Sequence, residues 1–228
     1  MRILAVDIGG SGVKVMIIDG KGKQLSERAR VPTPQPATPQ SVINSIKQLA
    51  AKQAKFDRVA VGFPGVVRKG VTETAHNLDK SWIGFPLEKE LSQALGKPVR
   101  AANDADVQGL AVVGGRGVEL VLTLGTGLGS ALFVDGKLVP NLEVAHHPFR
   151  KSRTYEECLG AQALEKSGKK KWNRSLQRAF AELHHLFNYD RLWIGGGNGE
   201  RVKLKLPPRV KIVPNVAGLL GGAALWKE

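Results

Sequence analysis

The sequence predicts an α/β protein of two subdomains, and two observations along its 228 residues support that prediction. Strand-like apolar runs alternate with helical segments, which is the pattern of α/β folds. Residues 2–19 (RILAVDIGGSGVKVMIID) indicate a strand, a glycine-rich turn and a second strand, and residues 119–136 repeat that arrangement. We therefore expect subdomains at 1–102 and 103–215 around a central cleft, with a C-terminal helix at 216–228 that packs back on the first.

The first half alternates strand and helix signals. Short apolar runs predict strands at 2–7, 13–19, 22–31, 58–63 and 98–102. The third of these runs is the weakest and suits a sheet edge. Helices are predicted between the strands, at 40–54, 86–95 and 104–114. Thr38 or Ser41 can cap the first helix, and Gly96-Lys97-Pro98 is a stop signal for the second.

The second half continues with a long, basic helical stretch, predicted at 154–187. Strands follow at 191–194 and 210–213, before the apolar C-terminal helix. The strand at 191–194 runs into Gly195-Gly196-Gly197, where bare backbone can pack closely against another element or against a ligand. Both interpretations stay open.

Basic residues exceed acidic ones by a wide margin. The chain has 34 Lys and Arg against 20 Asp and Glu, which gives a formal net charge of +14. Such a charge favours a polyanionic partner, for which nucleic acid, an anionic membrane surface and inorganic polyphosphate all qualify. The alternative is a basic protein whose lysines form a solvated surface.

The compartment is predicted from what the sequence lacks. A single cysteine, Cys158, excludes an internal disulfide and cannot form a structural zinc site alone, which fits a reducing cytoplasm. Asp7 interrupts the N-terminal apolar run after a few residues, so we expect no signal peptide. No apolar run reaches the roughly 18 residues of a membrane span, so we expect no membrane association.

Asp7 stands at the end of the first predicted strand, directly before a turn with little side-chain bulk. Backbone N–H groups in such a turn can approach an anion closely, and concave runs of amides bind phosphate. The carboxylate would orient Mg²⁺ through water, because that ion keeps much of its hydration. Lys14 adds a positive charge, with a plain surface position as the alternative. The predicted phosphate-contacting residues of this turn are Asp7, Gly9, Gly10, Ser11, Gly12 and Lys14.

A second glycine turn lies between the strands of 119–136. Its glycines connect two strands instead of opening a helix, which argues against a dinucleotide-binding fingerprint. Two facing turns of this kind can hold the phosphates of one donor from both sides, and a threonine hydroxyl adds a further contact. The predicted phosphate-contacting residues are Gly125, Thr126, Gly127 and Gly129, with Gly196 and Gly197 as a third place for a ligand.

Together, these motifs resemble the ROK family (repressors, open reading frames, kinases) of bacterial sugar kinases over essentially the whole chain. The motifs that carry the resemblance are DIGGSGVK (7–14), GFPG (62–65), the N-x4-W of Asn77 to Trp82, AND (102–104), LTLGTGLGSAL (122–132), the E-x2-H of Glu143 to His146, WIGGG (193–197) and GLLGGA (218–223). The segment LVPNLE (138–143) is similar to the polyphosphate-dependent branch of the family. The resemblance implies the actin-like ATPase, or ribonuclease H-like, fold.

The predicted acceptor site centres on Asp104, where a strand ends and a helix begins. From the residues alone, Asn103 or Asp104 is a helix cap more readily than a catalytic group. The resemblance reverses that order, because it implies that Asp104 is the general base for a sugar hydroxyl. It further implies sugar contacts from Asn77, Asn103, Asp104, Glu143, His146 and either Glu156 or Glu157, of which Glu156 is preferred.

Two departures from the family pattern lie in the second half. Ala145 stands where the E-x-G-H motif has glycine. The clustered cysteines of the usual zinc motif are missing, so no zinc site is expected on that pattern. The polyphosphate-dependent branch lacks the zinc motif as well, so its absence here favours that branch.

Basic residues cluster in two segments of the second half, at 150–174 and 201–211. A phosphate chain longer than that of ATP needs a basic track, and binding to the track would weaken with salt as nucleic-acid binding does. With the resemblance, this predicts phosphoryl transfer from inorganic polyphosphate, with ATP as a further donor, to O6 of glucose, and Mg²⁺ as cofactor.

Two other functions stay open. One is an ATP-dependent ROK kinase for glucose, mannose or an amino sugar, in which the basic segments are incidental. The other is a non-catalytic sugar sensor or polyanion-binding protein. We expect no specific nucleic-acid binding, because the first loop begins at residue 7 and leaves no room for an N-terminal DNA-binding domain. Related proteins are often dimers, and we expect a homodimer here.

Overall fold

The computed structural model describes residues 1–214 and 216–227. The chain forms two compact units, of which the first comprises Met1–Ala111 with the segment from Gly218 onward, and the second Val112–Ala217. The sequence analysis predicted the boundary between the two subdomains after residue 102. In the structure, the helix that begins at Asp104 belongs to the first unit. Residues 215 and 228, the ends predicted for the second subdomain and for the last helix, lie outside the described residues.

The first unit is built on a mixed sheet with the strand order β3-β2-β1-β4-β7. These strands are β1 (Arg2–Gly9), β2 (Gly12–Asp19), β3 (Ala29–Val31), β4 (Arg58–Phe63) and β7 (Val99–Asn103). A separate hairpin lies between β4 and β7 in the chain and consists of β5 (Val67–Arg68) and β6 (Val71–Thr72). β1 is antiparallel to β2 and parallel to β4, which is parallel to β7. The strands β1, β4 and β7 therefore end at the same edge of the sheet.

Helices α1 (Pro39–Ala51) and α2 (Leu87–Leu95) bury apolar side chains in the same core as this sheet. Thr38 caps α1, because its hydroxyl accepts the backbone N–H of Ser41 at 3.3 Å. Gly96 ends α2 in the left-handed conformation that the stop signal predicted. The strand predicted at 22–31 is confirmed only as the short edge strand β3.

The second unit repeats this organisation, with the strand order β10-β9-β8-β13-β14. Its strands are β8 (Val118–Leu124), β9 (Leu128–Val134), β10 (Lys137–Val139), β13 (Arg191–Gly195) and β14 (Val210–Ile212), with a separate hairpin of β11 (Pro148–Arg150) and β12 (Arg153–Thr154). β8 is antiparallel to β9 and parallel to β13, which is parallel to β14. The predicted repetition of strand, glycine turn and strand is therefore confirmed.

The basic helical stretch predicted at 154–187 consists of two helices, α4 (Tyr155–Leu159) and α5 (Ala161–Phe187). Helix α3 (Asp104–Leu110) precedes them in the chain and belongs to the first unit. Gly160 separates the two in an extended conformation, and α5 is kinked at Gly168, whose φ of 72° and ψ of 159° are not helical. Within the described part of the chain, no helix has the length and apolar character needed to cross a membrane.

The helix predicted at 104–114 ends earlier, at Leu110, because the residues after it bind a buried carboxylate. Glu119 on β8 is fully buried and accepts the backbone N–H groups of Gly114 at 2.8 Å and Gly115 at 2.7 Å. It also accepts the indole N–H of Trp193 at 2.8 Å. Burial alone would raise the pKa of Glu119, but these hydrogen bonds outweigh it and hold the pKa below its ordinary value of 4.5.

The C-terminal segment is a short helix, α6 (Ala217–Leu220), followed by a 3₁₀ segment at Gly221–Trp226, and not the single helix that was predicted. Gly221 lies so close to α3 that a Cβ there would be 1.7 Å from the carbonyl oxygen of Val107. The guanidinium groups of Arg58 and Arg100 lie 4.6 Å and 4.7 Å from the ring of Trp226. These contacts attach the end of the chain to the first unit.

Candidate active site

The carboxyl ends of β1, β4 and β7 bring predicted site residues together at one edge of the first sheet. Asp7 is in register with Gly62 across β1 and β4, and Gly62 with Ala102 across β4 and β7. A Cβ on Gly62 would lie 3.4 Å from the Cα of Asp104. Asp7 and Asp104 are therefore separated at this edge by the width of one strand, at the ends of the strands where open α/β sheets bind ligands.

Asn103 and Asp104 divide the two roles that the sequence left open. The Oδ1 of Asn103 accepts the N–H groups of Ala105 at 2.8 Å and Asp106 at 3.3 Å, and its Nδ2 donates to the carbonyl of Gly65 at 3.2 Å. Asp104 accepts the N–H of Ala105 at 2.8 Å and stays partly exposed. Asn103 is thus the cap of α3, and Asp104 holds a partly exposed carboxylate at a rigid helix start.

In the first glycine turn, Gly9–Gly12, none of the residues has a positive φ, and Gly9 and Gly12 leave little space for a side chain. A Cβ on Gly9 would lie 3.1 Å from the carbonyl oxygen of Gly12. A Cβ on Gly12 would lie 2.5 Å from the Nε of Arg30 on β3. The Nη2 of Arg30 donates to the carbonyl of Ser11 at 2.9 Å. A guanidinium group therefore lies directly on the turn that was predicted to contact phosphate.

Asp7 and Lys14 form an ion pair across β1 and β2. The Lys14 Nζ lies 2.6 Å from the Asp7 Oδ2, and the two side chains are 24% and 19% exposed. A solvated surface position, one of the two alternatives for Lys14, does not fit this pairing. Magnesium is commonly held by one or two carboxylates together with water and substrate phosphates. A single carboxylate beside a turn that is predicted to bind phosphate matches that donor set, so Asp7 is suited to hold the predicted Mg²⁺.

Asn77 lies in an exposed turn shortly before the 3₁₀ segment Lys80–Trp82. Trp82 is fully buried, and its ring centroid lies 5.0 Å from that of Phe63. Phe63 is the last residue of β4. This packing ties the segment that follows Asn77 to the strand edge where Asp104 lies.

The second glycine turn, Gly125–Gly127, is held from several sides within the second unit. The Nδ2 of Asn198 donates to its first carbonyl at 3.1 Å, and the N–H of Ala161 at the start of α5 donates to its second at 3.1 Å. The Oε2 of Glu156 accepts the N–H of Leu128, the residue after the turn, at 3.0 Å. These bonds fix the backbone, while the threonine of the turn stays exposed.

The triple glycine after β13 serves close packing at one position and is open at another. Gly196 has a φ of 81°, and a Cβ there would lie 2.5 Å from the carbonyl oxygen of Leu124. Around Gly197, no described atom lies within 4 Å of the place where a Cβ would stand. Gly196 therefore fits the packing interpretation, and Gly197 leaves space for a ligand beside the second glycine turn.

Three predicted sugar-contacting residues come together in the second unit. The Oε2 of Glu143 lies 3.5 Å from the Nε2 of His146, and Glu156 is near enough to act on Glu143 through its charge. Burial raises the pKa of Glu143 above its ordinary value of 4.5, His146 partly offsets that rise, and Glu156 adds to it. Two carboxylates with an imidazole are well suited to bind neighbouring hydroxyl groups.

Glu157 has a different place from Glu156. It forms a capping box at the start of α4, accepting the N–H of Thr154 at 2.7 Å while its own N–H donates to the Thr154 hydroxyl at 3.2 Å. Its side chain is exposed, whereas Glu156 is partly buried beside Glu143. Cys158 packs in the apolar core of the unit. The geometry therefore associates Glu156, and not Glu157, with the cluster.

Two residues that touch the glycine turns were missed by the sequence analysis. Arg30 reaches the first turn from an edge strand, and Asn198 reaches the second from the loop after β13. Asn198 directly follows the triple glycine, which was a usable signal for a residue near a phosphate loop. Arg30 had no such signal, because its strand was predicted only as a weak edge.

The chain resembles known proteins over nearly all of its length. The ROK family model matches residues 3–144. Polyphosphate glucokinase of Mycobacterium tuberculosis (strain CDC 1551 / Oshkosh) is 34% identical over 235 residues, which cover 96% of this chain and 88% of that protein.

Solved structures share the fold. The inorganic polyphosphate/ATP-glucomannokinase of Arthrobacter sp. strain KM aligns with a TM-score of 0.89 at 40% identity, over 98% of this chain and 97% of that one. A ROK family glucokinase from Streptomyces griseus, in complex with glucose and AMPPNP, aligns with a TM-score of 0.82 at 20% identity, over 99% of each chain. The predicted actin-like ATPase fold is confirmed by these alignments.

Proposed function

The chain belongs to the ROK family, and we propose that it is a glucokinase that transfers a phosphoryl group from inorganic polyphosphate, and also from ATP, to the 6-hydroxyl of glucose. The observation that carries the proposal is the match to polyphosphate glucokinase over 96% of the chain. Two carboxylates, Asp7 and Asp104, at neighbouring strand ends support it, because phosphoryl transfer needs a group for the donor's metal and a group for the acceptor's proton.

Asp104 is the general base of the proposed reaction. A sugar hydroxyl is a poor nucleophile, so a carboxylate at its proton assists the attack. As the bond from O6 to the terminal phosphorus forms and the bond from that phosphorus to the donor's bridging oxygen breaks, the O6 proton passes to Asp104. The shortened donor leaves with the bridging oxygen. Asn103 supports this role by capping α3, which keeps the helix start and its carboxylate rigid.

Glu143, His146 and Glu156 bind hydroxyl groups of glucose, and Asn77 is a further candidate contact. Asn103 uses its Oδ1 and one hydrogen of its Nδ2 within the protein, and the second Nδ2 hydrogen can donate to a sugar hydroxyl. Polar groups that pair with particular hydroxyls discriminate against sugars that lack them.

The donor phosphates are bound by the two glycine turns. Gly9–Gly12 and Gly125–Gly127 offer backbone N–H groups, and Gly129 follows the second turn. Gly197 leaves room for a phosphate chain close to the backbone, while Gly196 packs against Leu124. Asp7 is the residue that would hold Mg²⁺, through water. When bound, that ion neutralises charge on the transferring phosphoryl group. Lys14 keeps the Asp7 carboxylate in place through their ion pair.

Steady-state assays with Mg²⁺ test the proposal directly. Glucose, mannose, N-acetylmannosamine and N-acetylglucosamine are each combined with long-chain polyphosphate, tripolyphosphate and ATP. We expect glucose with long-chain polyphosphate to give the highest kcat/KM. A protein that turns over ATP alone would be the ATP-dependent hexose kinase instead, and one without turnover on any pair would contradict the kinase assignment.

Mannose is the second acceptor to examine, because the Arthrobacter relative at 40% identity is a glucomannokinase. Glucose and mannose differ only in the orientation of the 2-hydroxyl. A site without a buried polar group that pairs with the 2-hydroxyl accepts both sugars, since strong discrimination needs a polar group that the wrong sugar leaves unpaired. Comparable kcat/KM values for the two sugars would favour this broader acceptor range.

The acidic limb of the pH profile is expected to depend on Glu143. Its raised pKa means that Glu143 becomes protonated at a higher pH than a solvated glutamate, and the protonated group is a weaker acceptor for sugar hydroxyls. The KM for glucose should therefore begin to rise while the pH is still above 4.5. Glu143→Gln should raise KM at neutral pH and remove this dependence, whereas Glu157→Gln, at the capping box, should keep it. An unchanged acidic limb in Glu143→Gln would contradict the assignment.

Arg30 is expected to contribute to donor binding, because its guanidinium group lies on the first glycine turn. Arg30→Gln should raise the KM for ATP and for polyphosphate by roughly two- to fivefold, the effect of one solvent-exposed charged contact. The KM for glucose should stay unchanged. Arg28→Gln is the matched control, since Arg28 is an exposed arginine of the same segment. Equal effects of both variants would attribute the change to net charge and contradict the specific role.

A further inference from the structure

A basic pocket of about 240 Å³ lies in the second unit, and the proposed reaction does not use it. It is lined by Phe149, Arg150, Lys171, Arg174, Ser175 and Arg178. All the charged side chains among these are cationic. Such a concavity attracts anions more strongly than a flat surface with the same charges, because its walls concentrate the field.

The pocket is formed by one face of α5 and by the β11–β12 hairpin. Lys171, Arg174, Ser175 and Arg178 follow the spacing i, i+3, i+4, i+7, so they lie on one side of the helix. Arg150 at the end of β11 adds a charge from the hairpin. Like charges at this helical spacing repel one another and destabilise the helix. A bound anion would remove that cost.

Counter-charges within the protein do not neutralise the pocket. Arg178 pairs with Glu182, its Nε lying 2.7 Å from the Oε1. For Arg150, Lys171 and Arg174, no carboxylate of the described residues lies within ion-pair distance. The pocket therefore keeps a net positive charge that an anionic ligand can match.

The pocket is connected to the proposed active-site segment through contacts inside the same unit. The ring of Phe149 lies 4.5 Å from that of Tyr155, centroid to centroid. The Tyr155 hydroxyl donates to Glu182 at 3.4 Å, and burial first and this carboxylate second raise the pKa of Tyr155 to about 12. Tyr155 is followed by Glu156, which binds the backbone of β9 at the second glycine turn.

We propose that this pocket is an anchoring site for long-chain inorganic polyphosphate, which binds a stretch of the chain remote from the phosphoryl group that is transferred. The inference rests on the proposed function, because it concerns the same donor. It goes beyond that function by separating two sites: the glycine turns bind the reacting end of any donor, and the pocket binds only donors long enough to reach it.

The lining favours polyphosphate over single-stranded nucleic acid. Nucleic-acid sites of that kind combine a basic groove with aromatic side chains on which bases stack. The aromatic ring in this pocket, Phe149, is already packed against Tyr155. Closely spaced arginines and a lysine with one serine hydroxyl suit a ligand made only of phosphates.

The second basic segment supplies a control, because it attaches to a different side of α5. Asn173 is 6% exposed and lies outside the face that lines the pocket. Its Nδ2 donates to the carbonyl of Arg201 at 3.2 Å, and its Oδ1 accepts the N–H of Lys203 at 2.7 Å. Lys203 and Lys205 therefore belong to a separate basic surface with comparable exposure.

The test compares the double variant Arg150→Gln/Arg174→Gln with the control Lys203→Gln/Lys205→Gln. We expect the pocket variant to raise the KM for long-chain polyphosphate roughly tenfold, since two charged contacts are lost. Its KM for tripolyphosphate, ATP and glucose should stay within about twofold of the parent. The slope of log KM against log salt for the long chain should fall by about 0.7 for each contact removed, as for single-stranded nucleic acid. The control should keep the parental values.

Calorimetric titration with long-chain polyphosphate, without glucose, separates the pocket from the reaction. Weaker binding by the pocket variant, with parental binding by the control variant, supports the anchoring site. If polyphosphate binds but the parent protein does not turn it over, the donor assignment fails and the anchoring site is still supported. An equal loss for ATP or tripolyphosphate, an equal effect of the control pair, or parental binding by the pocket variant would each overturn the anchoring site. Single-stranded RNA of equal charge that competes as well as polyphosphate would also overturn it.

Discussion

Asp104→Asn is expected to abolish turnover with every donor while leaving glucose binding measurable. Asparagine keeps the size of the side chain and an oxygen that can accept the N–H of Ala105, which the Asp104 Oδ1 does at 2.8 Å. It cannot accept the O6 proton. General-base catalysis contributes roughly 10²–10⁴-fold, so kcat should fall by at least that range.

Measuring kcat and the Kd of glucose separately makes this result decisive. Isothermal titration reports the sugar, and the Kd should stay within about threefold, because the variant keeps the hydrogen-bonding shape of the site. Asp19→Asn is the matched control. Asp19 is a hydrogen-bonding aspartate of the same unit, in register with Arg2 at the opposite edge of the sheet. Near-normal turnover in Asp104→Asn, or an equal loss in the control, would contradict the mechanism.

Elements defined by local signals could be predicted from the sequence. The strand at 58–63 was predicted with the bounds that the structure shows, since its apolar run ends at Pro64-Gly65. Helix α2 ends at Gly96 because glycine adopts the left-handed conformation without a Cβ penalty. The glycine turns were recognisable because each lies between two apolar runs.

Elements shaped by distant contacts could not be predicted. The end of α3 depends on Glu119, which binds the loop after the helix. The C-terminal segment changes from α-helix to 3₁₀ at Gly221, where it packs on α3. The kink at Gly168 could not be predicted either, because a glycine inside a helical pattern is compatible with an unbroken helix.

The same distinction applies to the candidate site. Asp7, Asn103 and Asp104 stand at strand ends, and parallel strands collect their ends at one edge of a sheet, so their proximity follows from local signals. Arg30 and Asn198 act on the glycine turns across 19 and 73 residues of chain. The place of Asn198 directly after the triple glycine was a usable signal, but the contact of Arg30 leaves no periodicity or spacing in the sequence, and only the fold reveals it.

Gly221→Ala is expected to destabilise the first unit strongly. The added Cβ would lie 1.7 Å from the carbonyl oxygen of Val107 and 2.8 Å from its carbonyl carbon. These are backbone atoms of α3, which cannot move aside as a flexible side chain can. Overpacking in a rigid core costs about 1–3 kcal/mol and more where backbone must shift, so we expect about 3 kcal/mol or more. For a chain of this size, that lowers the thermal midpoint by roughly 6–12 °C.

Gly218→Ala, in the same C-terminal segment, separates this packing effect from a general intolerance of alanine. No described atom lies within 4 Å of the place of a Cβ on Gly218, and the residue is part of α6. Alanine there should be neutral or stabilising by up to about 1 kcal/mol, because it favours the helix over glycine. Since α3 begins at Asp104, Gly221→Ala should also lower kcat, whereas Gly218→Ala should not. Equal thermal midpoints for the two variants would show that the C-terminal segment does not pack against α3.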